Sequence, residues 1–285
     1  MTASAPRRND KPKETVEVNM NERCSPPRFM QGIWRDEVYK KGANGEDVLV
    51  KEIGPRHNMI TQPFTLLLAA LLQNDPSMIG GILFHAIGEG SATWDTSGIP
   101  SPTKFDTQLL AELSRLPPDG ITYIKYGYGK AQSGTTTVIV DPDRVEACAV
   151  VGRFEPDGFF NGMEVEITAG TNVGEIRIVS NYYQASGQIE VSVPFPLPID
   201  STSEYEFHRL SSLTPTNAVE VRTTWDYGNP ADIFNFKYIR EEGLFGGTAT
   251  VAADSGFMLD RITHDRIWKD PTTKVVRFID LIFRV

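Results

Sequence analysis

Period-two alternation through the last third of the chain, Val219 to Val285, is the feature that most limits what it can fold into. Phe234, Phe236 and Tyr238 alternate with Asn235, Lys237 and Ile239, the rhythm of a half-buried strand. Gly243 is expected to end that run. Leu244 and Phe245 then lie between glycines, at a sharp bend whose backbone angles glycine accepts easily, and are expected to anchor the core or a subunit interface. The closing run puts Val275, Ile279, Leu281, Phe283 and Val285 on one face and Val276, Phe278 and Ile282 on the other. A strand covered on both faces is a central one, so the chain is expected to end inside its own core.

At 285 residues and 40% hydrophobic content the chain is expected to form one or two domains with a sizeable core. Its 37 acidic residues outnumber 28 basic ones, a formal charge of −9 that disfavours direct contact with nucleic acid, where a net basic face is the rule. Met1 to Arg28 carries Arg7, Arg8, Lys11 and Lys13 but no apolar run, so neither a signal peptide nor membrane insertion is expected. Cys24 and Cys148 allow at most one disulfide and no zinc cluster, and read as free thiols.

In chain order, residues 1–30 read as an extended N-terminal arm, too poor in large apolar groups to offset the entropy of ordering alone. Ordering against a neighbouring subunit and a solvated tail both remain open for it. A hairpin follows, Trp34 to Lys40 and Val48 to Ile53, turned at Gly42 to Gly45, because Asn-Gly supplies a positive φ. Ile60, Phe64, Leu67, Leu68, Leu71 and Leu72 mark a helix with Pro63 in its first turn and Asn74-Asp75-Pro76 at its end. Ile82 to Ile87 reads as a strand broken by Gly88-Glu89-Gly90. A second helix is expected from Lys104 to Leu116, with Thr103 and Asp106 in capping-box spacing and a stripe of Phe105, Leu109, Leu113 and Leu116. Ile121 to Tyr126 and Thr135 to Val140 read as strands.

Residues 143–210 alternate regularly between glycine turns: Met163, Val165 and Ile167; Ile176 and Ile178; Ile189, Val191 and Val193; Tyr205 and Phe207. That is the pattern of an antiparallel meander with an apolar face and an acidic one of Glu164, Glu166, Glu190, Glu204 and Glu206. It is expected to be a small β module inserted into a β-rich core domain formed by residues 31–142 and 211–285.

The chemical inventory offers no catalytic or metal site and no cofactor. His57, His85, His208 and His264 are scattered without ligand spacing, and His264 is expected to be a surface strand histidine. Gly127-Tyr128-Gly129-Lys130 lacks the spacing and the hydroxyl of a phosphate loop. Glu241 and Glu242 are strand neighbours, expected to point to opposite faces and so unable to share a proton. Trp34, Trp94, Trp225 and Trp268, with Tyr126 and Tyr128, fill a core or an interface, or stack on sugars.

Ile239-Arg240-Glu241-Glu242-Gly243-Leu244-Phe245-Gly246, then Ser255 to Met258, then a closing strand, resembles the C-terminal core of bacteriophage tail-collar fibre proteins and related phage tail-region structural proteins. The upstream order of hairpin, Asn58 to Thr61, helix, His85 to Gly90 and Trp94-Asp95 is similar to theirs, so the resemblance spans Ile33 to Val285 apart from the meander. It implies a non-enzymatic virion protein, assembled in the host cytoplasm, that oligomerises with itself and joins other tail, neck or fibre proteins in the collar or baseplate region. Leu244, Phe245, Phe29, Met30 and Trp34 are the expected interface residues. The expected fold is mainly β with a few helices (α+β): an antiparallel sandwich-like core, an inserted β module and the extended arm. The rival readings are a glycan-binding receptor module and a glycan-cleaving tail enzyme.

Overall fold

A computed structural model of the chain describes residues 30–73, 75, 80–144, 155–228 and 234–283, without the side chain of Gln31. Residues 1–29 of the expected arm, Phe29 and Cys24 among them, lie outside the described residues, as do Cys148 and Val285, while Met30, the arm's last residue, opens the first strand.

The fold is mainly β. The chain runs β1 (Met30–Lys41), β2 (Asp47–Ile60), α1 (Gln62–Gln73), β3 (Gly80–Gly88), α2 (Trp94–Ser97), β4 (Glu112–Leu116), β5 (Gly120–Lys130), β6 (Ser133–Gly134), β7 (Val138–Val140), β8 (Glu164–Ala169), β9 (Ile176–Tyr183), β10 (Gln188–Val191), β11 (Glu204–Ser212), β12 (Ala218–Trp225), β13 (Lys237–Gly247), β14 (Phe257–Met258), β15 (Asp260–Lys269) and β16 (Thr273–Phe283). All pairings are antiparallel, in the order β4-β3-β13-β15-β2-β1-β16-β12-β5-β11-β8-β9-β10-β7-β6, with β14 on β13. The β1–β2 hairpin forms as its Asn-Gly turn predicts, with Gly45 at φ 84°. β16 is central, laddered to β1 on one side and β12 on the other, in agreement with its two apolar faces.

The sheet curls strongly. His85 of β3 and Thr223 of β12, at opposite ends of the run β3-β13-β15-β2-β1-β16-β12, are in side-chain contact at 3.1 Å. The largest apolar cluster lines this concave face: Trp34, Val38, Phe64, Leu67, Trp225, Ile239, Leu244, Val275, Ile279 and Leu281 are among its members. A second core gathers residues from Ala131 to Phe207, centred on Phe160 stacked against Phe207 at 3.8 Å. It begins ahead of position 143 and includes Ile139 of β7, while β11 ladders both to β8 within it and to β5 of the larger sheet.

Four local expectations fail. Lys104 to Leu116 is not a helix: the Thr103–Asp106 hydrogen bonds form, but the chain then extends into β4, and Phe105 is exposed while Leu109 is buried. Buried Glu241 supplies the reason, accepting the amides of Leu110 (3.1 Å) and Ala111 (2.8 Å) that a helix would have used internally. The strand does not stop at Gly243, because β13 continues to Gly247 between β3 and β15/β14 and demands small residues along the way. A Cβ on Gly243 would lie 2.7 Å from the Asp260 carbonyl oxygen. Phe236 belongs to the preceding turn, exposed and at φ 59°, and a slip in the β13–β15 ladder between Ile239 and Glu241 lets Ile239 and Leu244, of opposite parity, both face the main core. In α1 the stripe is narrower than expected: Phe64, Leu67 and Ala70 are buried, whereas Leu71 and Leu72 are exposed.

Candidate functional site

The densest group of chemically capable side chains is sealed inside the curl. Asp36 (β1) and Arg277 (β16) are direct cross-strand partners, and both fall in phase with core residues, Asp36 between Trp34 and Val38, Arg277 between Val275 and Ile279. Arg277 Nε and Nη2 donate to Asp36 Oδ1 (2.9 Å) and Oδ2 (3.1 Å), and Nη1 forms an ion pair with Glu242 Oε2 at 2.6 Å. His264 from β15 accepts at Nε2 from Arg277 Nη2 (3.1 Å), which its tautomer permits because Nδ1 donates to the Asp265 carbonyl (2.7 Å). His85 from β3 bridges Glu242 (3.0 Å) and Thr223 (3.1 Å).

One guanidinium faces two carboxylates, so the group carries an excess negative charge that a dry interior resists. Burial pushes Asp36 and Glu242 up to about 7. Burial, helped by the charge of Arg277, holds His85 and His264 neutral, down to about 3. Asp260, next to the cluster, is also raised to about 7 by burial, although it accepts the Leu244 amide at 2.7 Å. Asp36, Glu242 and His264 place ligand atoms within 4.8 Å of one another, a spacing a divalent cation would accept after contraction. Arg277 contacts all three and occupies that position as the resident cation.

His264 is therefore a buried member of this network, at 1% exposure, and not the expected surface strand histidine. Glu241 and Glu242 do point to opposite faces: Glu242 enters the cluster while Glu241 pairs with Arg261 at 2.6 Å and pins the loop before β4. Leu244 lies in the main core, and Phe245 on the opposite face with Ala86, Leu109, Ala249 and Met258. Met30 and Trp34 are buried in the main core as well, so all four described interface candidates are covered by the chain's own residues. Trp94 and Trp225 are buried and Trp268 is half-exposed, so the tryptophans do not share a face.

A second buried cation organises the smaller core. Arg144 donates to Glu155 (2.6 Å) and to the Tyr128 carbonyl (2.6 Å) and meets the Tyr205 hydroxyl, which donates to Asp141 (2.6 Å). The Gly127-Tyr128-Gly129 glycines make room for this network. A Cβ at Gly129 would come within 2.2 Å of Asp141 Oδ2 and 2.6 Å of the Tyr205 hydroxyl. Gly129→Ala is expected to lower stability by about 1–3 kcal/mol, the usual cost of overpacking, measurable as a shift in urea midpoint at unchanged slope.

On the surface, His208 of β11 contacts Glu164 (2.8 Å) and Glu166 (3.0 Å) with its two ring nitrogens. Carboxylates only accept, so both contacts are complete when the ring holds two protons; the Glu166 hydrogen bond accordingly raises its pKa. A cleft of about 230 Å³ lies between the Pro55 to His57 segment of β2 and Tyr126, Tyr128, Glu204 and Glu206. No protein-family model, curated protein or solved structure matches the chain.

Proposed function

We propose that the chain is a non-enzymatic structural protein of a tailed-phage virion, an oligomeric collar, neck or baseplate component that joins tail proteins or attaches fibres. The observation that carries this reading is the sealing of the acid–base groups: Asp36, His85, Glu242 and His264 are at most 1% exposed and bound to Arg277 and Thr223. Groups held so tie strands β1, β3, β12, β13, β15 and β16 together instead of meeting a substrate. The residues of the phage-like motif also each fill a structural place: Glu241 pins a loop, Glu242 enters the charge cluster, Gly243 admits a neighbouring backbone, and Leu244 and Phe245 fill cores on opposite faces.

The test is mass spectrometry of purified virions, with electron microscopy of particles carrying a tagged copy of the chain. Stoichiometric copies at the collar, neck or baseplate are expected. Absence from the particle, or release of reducing ends from host polysaccharide by the purified protein, would overturn the reading. Saturable binding of the purified chain on a glycan array would move the assignment to a receptor-binding module.

A further inference from the structure

β1 and β2 separate at one end. Their ladder closes with Gly32 opposite Asn58; beyond it Met30 and Gln31 pair with β16, while Met59 and Ile60 turn to β15. The strands are antiparallel, so the gap between them widens toward the start of β1 and becomes a cleft of about 590 Å³. Met30, Met59 and Ile60 give it apolar walls. Lys104 and Phe105 close another side, tied to the start of α1 by the Gln62 amide, which donates to the Lys104 carbonyl at 2.7 Å. Asn58, Met59 and Ile60 are consecutive and all line the cleft, so it opens along the strand edge and not on one face of the sheet. Phe105 is 67% exposed there. Asn58 donates through Nδ2 to Asp260, and its Oδ1 is buried without a hydrogen-bond partner among the described residues, an acceptor that calls for a donor.

What reaches this cleft is set by where β1 begins. Met30, in its wall, is the first described residue, and residues 1–29 precede it. Phe29 is joined to Met30 directly, about 3.8 Å away between Cα atoms. Pro26, Pro27 and Phe29 place three apolar side chains in the four residues before Met30, whereas the chain ahead of them carries Arg7, Arg8, Lys11, Lys13, Glu14, Glu17, Glu22 and Arg23. The two prolines restrict the undocked segment and so reduce the entropy lost on docking. Arg28 and Phe29 keep the backbone N–H groups that prolines lack, donors of the kind Asn58 Oδ1 can accept.

We infer that this cleft seats the root of the chain's own N-terminal arm: residues 26–29 of the same copy lie in it, their apolar side chains against Met59, Ile60 and Phe105, and the charged residues ahead of them leave the body of the protein from this point. The same copy's segment is tethered to the cleft wall with no intervening residue, at an effective concentration that the arm of a separate copy does not match. Docking of this kind needs neither an oligomer nor a virion, and it fixes where the charged part of the arm starts out.

The experiment uses the full chain with photoreactive p-benzoylphenylalanine in place of Phe105, an exposed position whose replacement the fold tolerates. Irradiation followed by digestion and mass spectrometry is expected to give crosslinks to residues 24–29 in species of monomer mass. The same crosslinks at dimer mass put a second copy's arm in the cleft and overturn the assignment, as does the lack of any crosslink to residues 24–29. Trypsin acting on the unmodified full chain supplies a second readout. Cleavage tracks local opening, so the Lys13–Glu14 bond is expected to be cut at least about tenfold faster than the Arg28–Phe29 bond. Phe105→Lys removes an apolar wall and sets a further ammonium beside Lys104 and Arg28, and should bring the two rates together. Equal rates in the unmodified chain, or an Arg28–Phe29 rate that Phe105→Lys leaves unchanged, overturn the docking.

Discussion

Arg277→Met is expected to cost about 3–5 kcal/mol at pH 8, the range for removing one partner of a buried ion pair, and clearly less at pH 5. The methionine is similar in length and apolar, so lost packing contributes little, and what remains is two carboxyl groups without their cation. At pH 8 Asp36 and Glu242 must stay ionised and unpaired in the core or be protonated far above the 3.8 and 4.5 of their unfolded forms. At pH 5 protonation is nearly free, and two neutral acids can be hydrogen-bonded in place. Denaturation at the two pH values checks this, and an equal loss at both would mean that Arg277 acts through packing alone.

The wild-type pH profile follows from the same group by linkage. Asp36 and Glu242 have folded pKa values raised to about 7, so the stability they contribute is fully present below their unfolded values and is lost as the pH rises through 7. His85 and His264 are depressed from 6.5 to about 3, so their contribution is present above 6.5 and is lost as the pH falls toward 3. The two slopes oppose each other across the acid range. Above the unfolded value of histidine the carboxyls act without that opposition, and stability is expected to decline toward pH 8. Asp36→Asn leaves Arg277 with one carboxylate in a balanced pair, so its decline should be shallower than that of the wild type. Asp260, equally raised, supplies the slope that survives.

Much of the sheet was legible because strand rhythm and turn chemistry are local properties. The β1–β2 hairpin, α1, β3 and the two-faced β16 follow from Asn-Gly, Pro63, Gly88 and the closing apolar run. The expected helix over 104–116 fails because its capping signal is local while its competitor, Glu241, arrives from a strand more than a hundred residues away. The charge cluster was hidden for a related reason: its members come from separate strands, and only the curl of the sheet brings β3 to β12. A signal was nonetheless present. Asp36 and Arg277 each interrupt an apolar face in phase with its buried residues, and a charge at such a position implies a partner of opposite sign across the interior. The glycines of Gly127-Tyr128-Gly129 are comparable, since their role becomes visible only once Arg144 and Asp141 are placed against them.

Phe245→Ala is expected to lose about 3–5 kcal/mol, the range for truncating a fully buried aromatic ring. Phe245 has no exposed surface and lies among Ala86, Leu109, Ala249 and Met258 on the face of β13 away from the charge cluster. Two features put it toward the top of that range. Its neighbours Ala86 and Ala249 have little side chain with which to collapse into the vacated volume, and Arg115 holds its guanidinium 4.3 Å from the ring centroid. Arg115 is itself fixed by Glu112 and by the carbonyls of Thr250 and Ser255, so it cannot follow the ring inward and the cation–π contact is lost outright. Phe245→Leu keeps most of the apolar volume and should recover more than half of the loss, the remainder being the cation–π contribution and imperfect shape. Urea unfolding of both variants makes the comparison. A loss under about 0.5 kcal/mol for Phe245→Ala, the scale of an exposed substitution, would mean that this face of β13 is not part of the core.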